Sequence, residues 1–104
     1  MLNIGDLEVR IPLVQGGMGV RVSTSSLAAA VAECGGAGTI AGVGLGYGTA
    51  QNEADYYEAS KLALTEEIRT AKKATKGVVG VNAMVALANY DDLARTASAE
   101  NADF

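Results

Sequence analysis

Three apolar runs, each followed by a stretch of helical character, constrain this chain more than any other feature. They are Ile11 to Gln15, Ala37 to Val43 and Val78 to Val85. Their apolar residues are continuous rather than alternating, as in strands of a parallel sheet buried on both faces. Pro12 stands at the start of the first, where a missing N–H does least harm. Helices are expected over Leu27 to Cys34, from about Asn52 to Thr75, and from Tyr90 to about Glu100. Ala102-Asp103-Phe104 begins a fourth strand. The order is β-α-β-α-β-α-(β), which requires right-handed crossovers and a parallel sheet, and so an α/β fold. No linker divides the chain, so residues 1–104 read as part of one domain.

Local signals set the expected boundaries. Leu2 to Arg10 alternates weakly, as an entry strand or hairpin arm does. Ser23-Thr24-Ser25-Ser26 offers several N-caps for the first helix, and Gly35-Gly36 stops it. Leu27, Val31 and Cys34 share one face of that helix; the alanines between them allow close packing on a sheet. Gly44 to Gln51 reads as a loop at a strand's C-terminal end. The second helical region has Glu53, Asp55 and Glu58 near its start and Lys72, Lys73 and Lys76 near its end, matching the helix dipole. Tyr57, Leu64, Ile68 and Ala71 form its apolar stripe. Thr65 can cap a second helix, so a break near Ser60 or Thr65 is open, and Gly77 closes the region. Asn89 to Asp92 resembles a capping box with Asp in place of Glu. Leu93, Ala94 and Ala97 face inward on the third helix.

Composition removes several functions. The net charge is −4 and no basic run occurs, which argues against nucleic acid and anionic membrane as partners. Cys34 is the sole cysteine, so no intrachain disulfide forms. With the absence of a basic, apolar leader in Met1 to Asp6, this suits a reducing, cytoplasmic setting. Leu27 to Gly46 is the least polar region, but Glu33 and its many glycines break it as a membrane span. Histidine is absent, which excludes an imidazole base, a Ser-His-Asp triad or a histidine-ligated metal within these residues.

Two features carry candidate chemistry. The turn Gln15-Gly16-Gly17-Met18-Gly19 follows the first strand at the end where parallel α/β folds bind ligands. Spacing alone leaves open a tight βα turn that uses glycine only for geometry. A dinucleotide fingerprint fits poorly, because Val22 stands where the third glycine belongs and no acidic residue ends the second strand. No Walker A lysine follows a glycine loop. Asn82 is the second feature, an amide in an apolar strand. It reads either as a side chain bonding nearby backbone or as a hydrogen-bonding partner for the polar edge of a planar cofactor. Cys34 reads as core rather than nucleophile, Tyr56 and Tyr57 as packing residues, and Asp91 and Asp92 as a cap.

Pro12-Leu13-Val14-Gln15-Gly16-Gly17-Met18-Gly19, the segment Leu27 to Ile40 (LAAAVAECGGAGTI) and Gly80-Val81-Asn82-Ala83-Met84-Val85 together resemble the nitronate monooxygenase family. That family, formerly called 2-nitropropane dioxygenase, includes flavin-dependent enoyl-acyl-carrier-protein reductases. The resemblance implies a TIM (β/α)8 barrel that binds FMN at the C-terminal strand ends. It implies that backbone at Gly17, Met18 and Gly19 lies along the isoalloxazine ring, that Asn82 hydrogen-bonds the flavin, and that the loop from Gly44 borders the substrate pocket. The histidine base of many members lies past the fourth strand and has no counterpart here. A barrel needs about 250 residues, so the chain is expected to be an N-terminal portion of roughly three of eight units, inactive alone. Its activity would be oxidation of small alkyl nitronates with oxygen, or NAD(P)H-linked enoyl reduction in the reductase branch. A non-catalytic alternative is also open: an open parallel sheet exposes edges and an apolar face, predicting a homo-oligomer or dependence on a missing C-terminal part.

Overall fold

The computed structural model describes residues 1–48 and 52–104. The N-terminal segment is a hairpin of β1 (Leu2–Ile4) and β2 (Leu7–Val9), paired antiparallel around a turn at Gly5-Asp6. There follow α1 (Ser25–Glu33), β3 (Ala37–Ala41), α2 (Glu53–Ala74), β4 (Val78–Asn82) and α3 (Tyr90–Ala99). β3 and β4 run parallel, with Ala37 opposite Val78 and Ala41 opposite Asn82.

Two further lines of chain flank this pair. Val14 bridges Ala37 in parallel sense, with Ala37 N–H donating to Leu13 O and Gln15 N–H to Ala37 O, each at 2.9 Å. On the other side Asp103 N–H donates to Val79 O at 2.8 Å, and Val81 N–H to Phe104 O at 2.9 Å. The α/β alternation and parallel pairing expected from the sequence are therefore present, with the lines adjacent in chain order.

The first line departs from expectation. Residues 11–15 are not buried on both faces: Leu13 is 54% and Val14 49% exposed, and an open apolar groove runs between Ile11, Leu13, Val31 and Cys34. β3 ends at Ala41 rather than Val43, and the chain turns at Gly44, whose φ is +78°. β4 ends at Asn82 rather than Val85, and residues 84–90 coil through turns closed by Leu87 N–H to Met84 O and Tyr90 N–H to Leu87 O.

The face of α1 that packs on the sheet is the alanine face. Ala28, Ala29 and Ala32 are buried. Leu27 and Cys34 are exposed, which corrects the assignment of Cys34 to the core. Small side chains let α1 approach until its backbone at Ala28 lies against Gly38. The Thr24 side chain makes no cap bond; instead Ser25 N–H donates to the Glu67 carboxylate of α2 at 3.0 Å. The core is built from Ala28, Ala32, Ile40, Leu45, Leu64, Ile68, Val79 and Leu93.

α2 is a single unbroken helix through Ser60 and Thr65, with Asn52 Oδ1 accepting from Asp55 N–H at 2.9 Å. Its first residues adjoin 49–51, where the end of the expected Gly44 to Gln51 loop lies outside the described residues. The Asn89 side chain makes no cap bond to α3, so the expected capping box is not formed. Polar contacts tie α2 to the C-terminal segment: Arg69 to Glu100 through two bonds of 2.8 Å, and Lys72 to Asn101 O at 2.8 Å. The Asp103 carboxylate accepts from Val79 N–H at 3.0 Å, fixing the last line against β4.

Candidate functional site

The site begins where residues 11–15 leave the sheet. The Gln15 carboxamide bonds the Thr39 backbone twice: Oε1 accepts from Thr39 N–H at 3.0 Å, and Nε2 donates to Thr39 O at 3.1 Å. The main chain is thereby free to rise from the ladder. It crosses the end of β3 and reaches the last residue of β4, where a Cβ on Gly17 would lie 2.8 Å from Asn82 Cβ. The backbone dihedrals at Gly17 are not left-handed. Glycine is required at 17 for space.

Gly17 and Asn82, which the sequence placed at one end of the sheet, are thus in contact there. Asn82 is exposed rather than buried, since it ends its strand. Its carbonyl accepts from Gly42 N–H at 2.9 Å, and among the described residues its carboxamide makes no hydrogen bond. Met18 is 63% exposed.

Ser23, counted in the sequence among possible helix caps, closes the bend instead. Met18 N–H donates to Ser23 Oγ and Ser23 N–H to Met18 O, each at 2.9 Å. Ser23 O then accepts from Ala41 N–H at 3.0 Å, and the residue is only 2% exposed. Met18 N–H is therefore committed within the protein. The N–H groups of Gly17 and Gly19 have no acceptor among the described residues.

The second half of the bend is strained. Val20 (φ +52°) and Arg21 (φ +63°) are consecutive left-handed residues, costly for a β-branched side chain. Contacts with the loop after β3 hold them: Val20 N–H donates to Val43 O at 2.9 Å, and Arg21 Nη1 to Leu45 O at 2.7 Å. Gly44 is buried against Val20, so this glycine sits behind the bend rather than on an open surface. Among the described residues of its loop, Tyr47 and Gly48 are exposed.

Ser23 and Arg21 were not foreseen as parts of the site, and Gln15, the first residue of the candidate turn, was given no role for its side chain. A glutamine ending an apolar strand just before glycines is the only one of the three with a readable signal.

Shifted ionisations lie elsewhere. The hydrogen bond from Arg69 holds the Glu100 carboxyl below its ordinary range, and Glu58 raises Lys61. Among the described residues, no group of three or more His, Cys, Asp or Glu side chains is placed to hold a metal, and no helix is long and apolar enough to cross a membrane.

Two clefts open away from the bend. One of about 590 Å³ lies at the N-terminal strand ends, between Arg10, Glu33, Lys73 and Thr75. Within it Thr75 Oγ1 donates to Glu33 at 2.6 Å and Arg10 to Cys34 O at 3.0 Å. The other, about 380 Å³, is an apolar groove between Ile11, Leu13, Val31 and Cys34. Neither combines free donors with a free carboxamide as the bend does. The bend can therefore present main-chain N–H groups and one amide to a polar-edged ligand. It has no group suited to proton transfer.

Comparison with curated proteins found no match. A sequence model of a family described as nitronate monooxygenase matches residues 2–103, nearly the whole chain. The chain belongs to the nitronate monooxygenase family.

Proposed function

We propose that this chain supplies part of the flavin site of an FMN-dependent oxidoreductase acting on alkyl nitronates, built on the first units of a (β/α)8 barrel. The observation that carries the reading is the contact of Gly17 with Asn82 at the C-terminal end of the parallel lines. The residues present fit a flat cofactor with a polar edge. Gly17 and Gly19 let the bend pack closely on Asn82 and Val43 and offer N–H groups, and the Asn82 carboxamide can both donate and accept. Exposed Met18 offers an apolar surface beside them. Bound there, FMN supplies the redox chemistry between nitronate and dioxygen, while the protein binds and orients it.

These 104 residues contain no histidine. Their part in the reaction is to position the ring, and the Gly44 loop is proposed to border the substrate space from behind the bend. A second copy of the chain is a proposed partner, supported by the exposed Ile11, Leu13 and Val14 on an open sheet edge.

The test is to titrate the purified chain with FMN and follow flavin absorbance and fluorescence. Stoichiometric binding weakened by Asn82→Ala is expected. Binding unaffected by Asn82→Ala would refute the site. Oxygen uptake with a nitronate, set against NAD(P)H oxidation with an enoyl thioester in the complete enzyme, separates the two branches of the family.

A further inference from the structure

We propose that Gln15 is the positioning residue of this site: its side chain replaces main-chain groups in the sheet, and that replacement releases Gly17 N–H for a ligand. This rests on the flavin reading for the ligand, but not for the geometry.

The hydrogen bonds carry the inference. Around the Val14 to Ala37 bridge, Ala37 N–H donates to Leu13 O and Gln15 N–H donates to Ala37 O. A parallel ladder continued by one rung would have Thr39 N–H donate to Gln15 O, and Gly17 N–H donate to Thr39 O. Neither main-chain bond is made. Thr39 N–H donates to Gln15 Oε1 at 3.0 Å, and Thr39 O accepts from Gln15 Nε2 at 3.1 Å. One carboxamide therefore fills both places. It has the one acceptor and the donor that the rung needs, held on a two-carbon stem.

Two consequences follow. The β3 main chain stays paired at Thr39 although its neighbour has left, so the departure does not strand buried backbone groups. The Gly17 N–H, which the ladder would otherwise consume, is left unpaired beside the Asn82 carboxamide. A shorter or purely apolar side chain at 15 returns Thr39 to the main chain. The strand then lengthens towards Gly17, and the bend withdraws from Asn82.

The experiment is amide hydrogen exchange by NMR on the full 104-residue chain and its Gln15→Met variant, alongside FMN titration. Methionine preserves length and removes both bonds. In the native chain the Thr39 amide should exchange slowly and the Gly17 amide fast. In Gln15→Met the Gly17 amide should gain at least tenfold protection, or Thr39 lose it, and FMN affinity should fall at least tenfold. If Gln15→Met does not fold, Gln15→Glu serves. It keeps the acceptor for Thr39 N–H but offers Thr39 O no donor when ionised, so Gly17 should again gain protection. A Gly17 amide already protected in the native chain would overturn the proposal. So would Gly17 and Thr39 exchange unchanged in both variants. The expected exchange pattern with no FMN binding to the native chain would uphold the release of Gly17 and overturn the flavin reading instead.

Discussion

Replacing Gly17 by alanine tests the bend at its tightest point. The added Cβ would lie 2.8 Å from Asn82 Cβ, 3.1 Å from its Cγ and 3.3 Å from its Oδ1. Carbon atoms pack at about 3.5–4.0 Å, so the shortfall at Cβ is roughly 1 Å. Rotating the Asn82 side chain cannot relieve it, because Cβ does not move with χ1. The main chain must shift, at an overpacking cost of about 1–3 kcal/mol. The site is exposed, so the lower end applies, and the melting temperature should fall by about 4–8 °C. Ligand binding should weaken as well, since the shift moves the Gly17 N–H away from the Asn82 carboxamide.

Gly16→Ala is the control. Nothing lies within 4 Å of a Cβ there, and its φ is not left-handed. That variant should bind FMN as the native chain does and melt at the same temperature or slightly higher. Fluorescence titration and thermal unfolding of both read the result. Equal behaviour of Gly16→Ala and Gly17→Ala would refute the close approach as the reason for glycine at 17.

Other outcomes follow from the same geometry. Gly38→Ala should drive α1 from β3, since a Cβ meets the Ala28 backbone with its carbonyl carbon at 2.7 Å; a loss of about 1–3 kcal/mol or more is expected in urea unfolding. Ser23→Ala removes the acceptor of Met18 N–H and should cost about 1 kcal/mol, with faster amide exchange at Met18. The hydrogen bond from Arg69 depresses the folded-state pKa of Glu100 below 4.5. The stability this gives is present above the unfolded value and is lost as pH falls through the folded one. Arg69→Met should therefore lower the unfolding midpoint at neutral pH and flatten its decline below about pH 4.5, the ordinary carboxylate pKa; an unchanged decline would remove Glu100 from the account.

The parallel α/β pattern was legible because strand and helix periodicities differ and their alternation admits few topologies. Asp103-Phe104 was readable as a strand start and is hydrogen-bonded as one. Burial was less legible. Val14 and Leu13 look like core in composition, but nothing in the local pattern shows that no layer covers these side chains. Leu27 and Val31 carry the larger apolar side chains of α1, yet the buried face is the one with alanines, because closeness to the sheet rewards small volume there. In the candidate site, strand polarity put Asn82 and the turn at the same end of the sheet, but their contact at Gly17 was not readable. The part of Gln15 was hidden because side-chain mimicry of a ladder rung leaves no periodic trace. Ser23 looked like a cap because serine before a helix usually is one. Here the Glu67 carboxylate, 42 residues beyond Ser25, accepts from the Ser25 N–H instead.

The most direct test of the central claim is a two-dimensional amide NMR spectrum of the labelled chain during FMN titration. The account predicts that the Gly17 and Gly19 backbone amides and the Asn82 side-chain amide shift together and saturate at one FMN per chain. Shifts confined to the Arg10–Lys73 cleft or to the Ile11–Cys34 groove, or no shifts at all, would contradict it.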